Sequence, residues 1–178
     1  GTGEYSGSFA KITNVQELTL PEEIKYIGDG AFIGSFIQTI TLDNVESIGN
    51  YAFRECPQLN SVVFKGTKKI GAECFKGCPK INLVQFPYSV DEVGYGAFAK
   101  CNSLNSVDLS DINTACVLHD YVFYDDVALS DVNMQSSAIS KIGEGAFAIT
   151  SAPTGSMTDA KLPNQITGNG DSTLGNLL

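Results

Sequence analysis

The chain has 178 residues, with 11 Lys+Arg against 20 Asp+Glu, a formal net charge of −9 and a pI near 4.4. That balance excludes nucleic-acid phosphates and anionic membrane surfaces as partners, since both reward clustered lysine and arginine. No apolar run approaches the ~18 residues of a membrane span and no basic-then-apolar leader opens the chain, so no membrane insertion of this segment is expected.

In chain order, residues 1–8 are small and polar and read as a worn N-terminal coil. From Val15 onward a three-residue apolar spacing predicts short strands: Val15, Leu18, Leu20; then Ile37, Ile40, Leu42; Leu59, Val62, Phe64; Ile81, Val84, Phe86; Leu104, Val107, Leu109; and Leu129, Val132, Met134. A turn follows each, marked by Pro21 and Pro87 in two copies. Next comes a second extended stretch whose apolar pair is expected to stay inside: Ile24 and Ile27, Val45 and Ile48, Thr67 and Ile70, Val90 and Val93, Ile139 and Ile142. The glycine after that pair is expected either to take a positive φ or to lie against a neighbouring coil, which a Cβ would obstruct.

A phenylalanine closes each unit, in phrases such as Ile27-Gly28-Asp29-Gly30-Ala31-Phe32 and Ile48-Gly49-Asn50-Tyr51-Ala52-Phe53. Phe75, Phe98 and Phe147 close further copies, Phe123 a worn one, and Phe9 marks an earlier one. The intervals are 32 − 9 = 23, 53 − 32 = 21, 75 − 53 = 22, 98 − 75 = 23, 123 − 98 = 25 and 147 − 123 = 24. A period of that length belongs to leucine-rich repeats, so the chain reads as one repeat solenoid over 1–178, of about 7–8 units of 21–25 residues. All the first strands are expected to stack in parallel into one sheet. Residues 148–178 read as an interrupted last repeat and a degenerate cap: a loop insertion before Ala160 and Leu162 restore the strand, then Gly170 and Leu174 at the glycine and phenylalanine places.

The spacing L-x-x-V-x-L followed by I-G-x-x-A-F-x-x-C resembles the BspA-like (Treponema-type) leucine-rich repeats, over roughly Phe9 to Phe147. The resemblance implies a leucine-rich-repeat right-handed superhelix with a parallel concave β-sheet and short second strands and turns on the other faces. It also implies a bacterial extracellular or cell-surface location and an adhesive role, as some BspA-like proteins bind extracellular-matrix proteins. A chain beginning with Gly1 is accordingly expected to have lost a signal peptide.

Catalytic chemistry finds little to work with, so the chain is not expected to be an enzyme. His119 is the single histidine and sits at the glycine place of its repeat, where tolerance of positive φ is the expected reason for it; metal capture with Cys116 and Asp120 is the weaker reading. Cys56, Cys78 and Cys101 lie three residues past their phenylalanines and are expected to stack as buried free thiols, because parallel side-chain vectors disfavour a disulfide. Cys74 stands in for a small alanine. Cys116 falls where other copies carry Lys25, Glu46, Lys68, Asp91 and Ser140, and is expected to face water as a reactive thiol. The acidic set Asp108, Asp111, Asp120, Asp125, Asp126 and Asp131 lacks a calcium-loop pattern and reads as solvated surface; a glycan hydrolase built on it is the remote alternative. No cofactor or metal is expected.

What remains is surface. Strand alternation turns Glu17, Thr19, Thr39, Thr41, Ser61, Val63, Leu83, Gln85, Ser106, Asp108, Asp131 and Asn133 outward on the concave sheet, and Tyr51, Tyr95, Tyr121 and Tyr124 are expected to gather as a second, aromatic patch on the opposite turns. The function that follows is a non-catalytic recognition module, monomeric, binding an extracellular protein or glycan from host matrix or a neighbouring cell. The alternative is a structural spacer within a longer surface array.

Overall fold

The computed structural model describes residues 8–135 and 137–149, and the main chain of residues 159–161. Among these residues there is no helix; the chain winds as a parallel β-solenoid in which each coil from Glu17 to Ile142 contributes two short strands. The first strands are β1 (Glu17–Thr19), β3 (Thr39–Leu42), β5 (Ser61–Phe64), β7 (Leu83–Gln85), β9 (Ser106–Asp108), β11 (Asp131–Asn133) and β13 (Asp159–Lys161). The second strands are β2 (Tyr26–Ile27), β4 (Ser47–Ile48), β6 (Lys69–Ile70), β8 (Glu92–Val93), β10 (Cys116–Leu118) and β12 (Ile139–Ile142). These second strands form an uninterrupted six-stranded parallel back sheet in the order of the coils. β13 pairs Ala160 with Val132, so the strand resumes where the sequence predicts; the insertion before it, residues 1–7, and the closing turn around Gly170 and Leu174 lie outside the described residues.

Between the sheets runs the phenylalanine column. Ring centroids of Phe9, Phe32, Phe53, Phe75, Phe98, Phe123 and Phe147 succeed one another at 5.3, 5.0, 5.2, 5.0, 5.7 and 5.2 Å, with interplanar angles of 17° or less. The widest step falls at the 25-residue interval. Phe53, Phe75, Phe98 and Phe123 are fully buried, whereas Phe9, at the end of the column, is half exposed. Each ring from Phe32 to Phe123 is delivered by a turn with two left-handed residues, one two places before it (Gly30, Tyr51, Glu73, Gly96, Tyr121) and one two places after (Gly34, Glu55, Gly77, Lys100, Asp125); Lys11 after Phe9 and Gly145 before Phe147 are left-handed as well. The motif glycines Gly49, Gly71, Gly94 and Gly143 are not among the positive-φ residues. A Cβ on each would come within 2.4–2.7 Å of the main chain of the preceding coil, so close approach and not conformation demands them.

Coil contacts are reinforced by side chains that bond main chain of the neighbouring coil, some one coil ahead and some one coil back. Asp29 Oδ1 accepts from the Asn50 N–H, Asn50 Oδ1 from the Ala72 N–H and Asp120 Oδ1 from the Glu144 N–H, each at 2.8 Å. On the back face Thr67 donates to the Val45 carbonyl, Ser89 to Thr67, Thr114 to Val90 and Ser140 to Cys116, at 2.9–3.0 Å. The inward back-sheet pairs hold as expected at Val45, Ile48, Val90 and Val93, but Ile24, in the first coil of the back sheet, is 37% exposed.

The predicted single front sheet is in fact two. β1, β3 and β5 form one, β7, β9, β11 and β13 the other, and no ladder joins β5 to β7. The break coincides with a change in side-chain size. At the place where other coils carry Leu42, Leu109 or Met134, these two carry Phe64 and Phe86, whose rings stand edge-on to Phe75 (5.9 Å) and Phe98 (5.7 Å) and lie 6.2 Å from each other. The back ladder and the phenylalanine column hold these coils at ordinary strand spacing, about 4.8 Å. Two bulky rings inserted between column and front strands therefore force the front apart.

Candidate functional site

The opening between β5 and β7 is a groove of about 590 Å³ lined by Asn60, Ser61, Val62, Val63, Phe64, Asn82, Leu83, Gln85, Phe86, Pro87 and Asp111. It adjoins a second hollow of about 540 Å³ that shares Phe64, Pro87 and Asp111 and adds Asp43, Lys65, Gly66 and Tyr88. Outward alternation places Val63 (42% exposed) and Leu83 (52%) on its lips. The inward residue beneath is also affected: Val62 is half-buried, while its counterparts Ile40, Val84 and Val107 are buried. Asp111 at the rim accepts a weak hydrogen bond from Gln85 Nε2 (3.4 Å), and Lys65 is paired with Asp43 at 2.9 Å.

The remaining predicted concave-face residues, Glu17, Thr19, Thr39, Thr41, Ser61, Gln85, Ser106, Asp108, Asp131 and Asn133, all lie on the outward side of the front strands, exposed or half-buried. Toward the later coils the surface turns acidic and internally bonded: Ser106 donates to Asp131 (3.2 Å), and the Ser110 N–H and hydroxyl both bond Asp108 Oδ1. Asn60, Asn82, Pro87, Tyr88 and Asp111 were not expected to form a site. The signal for the first two was present, because the residue before each front strand is an amide or short polar one in coil after coil (Gln16, Gln38, Asn60, Asn82, Asn105, Ser130). What the sequence does not disclose is that the strands behind Asn60 and Asn82 part.

The tyrosine patch forms in part. Tyr95, Tyr121 and Tyr124 meet edge-to-face at 5.5 and 5.3 Å, and the nearby Glu144 carboxylate pushes the Tyr121 hydroxyl above its usual range. Tyr51 instead carries the Arg54 guanidinium over its ring at 5.8 Å, and Arg54 in turn bonds Glu73 at 2.8 Å.

Three expectations about titratable groups are overturned. Cys116 is fully buried: the back-sheet register shifts between Cys116 and Val117, pairing Cys116 with Ile139, so the thiol turns into the core where burial pushes it up to about 12. It is not a reactive surface thiol. His119 does not have a positive φ; its Nε2 lies 3.2 Å from Glu92, which also bonds Lys69 at 2.7 Å. With Cys116 inside and Asp120 bonded to the Glu144 N–H, the three suggested ligands do not converge. Asp126 is fully buried, not solvated: it occupies the place of Ser35, Cys56, Cys78 and Cys101 in earlier coils. Its Oδ1 accepts from the Cys101 N–H at 2.8 Å, its Oδ2 has no partner, and burial holds the carboxyl well above the ordinary range. Cys56, Cys78 and Cys101 are buried and free as expected, each thiol donating to the carbonyl of Phe32, Phe53 or Phe75 at 3.1–3.3 Å.

Parallel two-strand coils, a column of stacked phenylalanines and a front sheet bearing the outward side chains define a leucine-rich-repeat solenoid. Within that class the chain belongs to the BspA-type leucine-rich repeat region family, whose model matches residues 5–68 and 68–177 in six copies. The fold is similar to that of a leucine-rich repeat protein from T. pallidum, with a TM-score of 0.51 and 22% identity over 75% of this chain and 76% of that one. It is similar also to a leucine-rich repeat protein from Bacteroides ovatus, with a TM-score of 0.53 and 20% identity over 79% of this chain and 42% of that one. No curated protein matches the chain. Among the described residues no helix is long and apolar enough to cross a membrane.

Proposed function

We propose that the chain is a non-catalytic recognition module of a bacterial cell-surface protein, and that it binds an extracellular protein or glycan through its front face. One observation carries the reading: Val63 and Leu83, aliphatic and exposed, stand on opposite lips of a groove whose lining reaches the half-buried Val62. A front face serving only as solvated sheet has no use for that pair, since each can contribute about 1.5–3 kcal/mol when a partner buries it. Family membership supports a surface location and a repeat module that works by contact.

The test is to screen the purified chain on arrays of matrix proteins and glycans, then repeat with Val63→Asp and Leu83→Asp. Specific hits that both variants lose support the reading. Hits that persist unchanged in both remove the front face from it, and no hit on either array removes recognition.

A further inference from the structure

We infer that the groove between β5 and β7 takes an extended peptide segment of a partner protein, one with an aliphatic side chain next to a lysine or arginine. This rests on the recognition reading above and narrows it to a ligand class.

Four features of the groove select such a segment. First, β5 and β7 face each other without a ladder. In a parallel sheet alternate residues aim their main-chain groups to opposite sides, so Val62 on one strand and Leu83 and Gln85 on the other direct amides and carbonyls toward the opening. An extended backbone is the natural complement to such groups. Second, the Asn60, Asn82 and Gln85 side chains bring primary amides to the same rim, each able to donate and accept at once, as a peptide unit requires. Third, the exposed apolar lips are Val63 and Leu83, both aliphatic, while the Phe64 and Phe86 rings that also line the groove are buried; lips of that kind suit a branched aliphatic side chain better than a stacked sugar. The groove, about 590 Å³, lies within the ordinary range for a site that encloses a few groups. Fourth, Asp111 stands exposed at the rim, Asp108 and Asp131 follow on later coils, and Lys65 in the adjoining hollow is already paired with Asp43. The field there favours a cationic neighbour to the aliphatic anchor.

The experiment is fluorescence anisotropy of the folded chain with three labelled nonapeptides: a central leucine flanked by lysines, the same with aspartates as flanks, and the lysine-flanked peptide with a central glycine. The first is expected to bind, and the other two to bind at least about tenfold more weakly, as loss of a buried leucine or of charge complementarity implies. Leu83→Asp is expected to weaken the first peptide by tenfold or more, and Asp111→Asn to weaken it while flattening its salt dependence. Leu83→Ser, checked by circular dichroism, serves if the aspartate variant is destabilised. If no peptide binds while array hits still vanish in Leu83→Asp, the peptide inference fails and the recognition reading stands; silence in both assays ends both. Binding of all three peptides alike, or a concentration-dependent dimer that Leu83→Asp dissociates, overturns the inference in favour of an unspecific surface or a second copy of this chain.

Discussion

Gly71→Ala separates two explanations of the repeating glycine. Its φ is not positive, yet a Cβ built there lies 2.5 Å from the Gly49 carbonyl carbon and 2.6 Å from the Asn50 nitrogen, both main-chain atoms of the coil before. Neither can swing aside as a side chain could, so the coils must separate. Separation strains the bonds that clamp these two coils, Gly71 N–H to the Ile48 carbonyl and Ala72 N–H to Asn50 Oδ1, both 2.8 Å. Overpacking typically costs about 1–3 kcal/mol, and weakening two hydrogen bonds adds about 0.5–1.5 kcal/mol each, so the loss is expected at roughly 2–6 kcal/mol. The control is Gly77→Ala. Gly77 has φ +71°, but its Cβ would meet only Glu55 Cγ at 3.5 Å, so the cost there is conformational, about 1–2 kcal/mol. Urea titrations of the two variants, read at equal m-values, give the comparison. If Gly71→Ala loses no more than Gly77→Ala, close coil contact is not what the glycine column serves.

Phe75→Ala removes a fully buried ring stacked on Phe53 and Phe98 and should lower stability by about 3–5 kcal/mol in the same titration, whereas Phe9→Ala, half exposed at the column's end, should cost well under half as much. Asp126 has its folded-state carboxyl raised above the ordinary value of 3.8, so the folded chain holds the proton more tightly: its contribution is present below about pH 3.8 and is lost as pH rises through the folded value. Asp126→Asn should therefore flatten that fall between acid and neutral pH and stabilise the chain at pH 7 by about 1–3 kcal/mol, as thermal unfolding across the range would show; a variant less stable at pH 7 would refute it. All five cysteines are buried, so Ellman's reagent at pH 8 should find no fast-reacting thiol in the native chain and five after denaturation, and a rapid equivalent lost in Cys116→Ala would restore the surface reading. Phe64→Leu with Phe86→Leu should let β5 and β7 approach, slowing amide hydrogen exchange at Leu83 and Gln85; exchange that is unchanged or faster would show that ring size does not hold the groove open.

The fold was legible because its determinants are local and repeated. Each phenylalanine, glycine and V-x-L set faces the same environment as its copies, so the period alone specifies the stacking partner of every coil. The strands, the column and the buried Cys56, Cys78 and Cys101 all follow from that. Departures occur where one coil differs from its neighbours. At Cys116 the longer unit shifts the back-sheet register, and counting back from Leu118 assigns the residue to the wrong side. At Asp126 residue type points to the surface while its place in the repeat points inward, as Ser35, Cys56, Cys78 and Cys101 at that place are interior. The site was legible in part: alternation places Val63 and Leu83 outward, but the groove between them depends on a mismatch of volumes at Phe64 and Phe86 that no count of spacing expresses.

The location of the groove follows from where coil spacing is over-determined. At the back, an unbroken ladder and the Thr67, Ser89, Thr114 and Ser140 hydroxyls lock one coil to the next. In the middle, rings stacked at 5.0–5.7 Å do the same. Excess volume in one coil is then relieved at the front, where no ladder joins β5 to β7. That is also the face whose outward side chains the repeat leaves free to vary, since Thr41, Val63 and Gln85 occupy one place with different chemistry while Ile48, Ile70 and Val93 behind them remain alike. Rigidity at the back and an unpaired edge at the front thus arise from one packing problem, and a partner strand or side chain that fills the opening would satisfy groups the solenoid itself cannot.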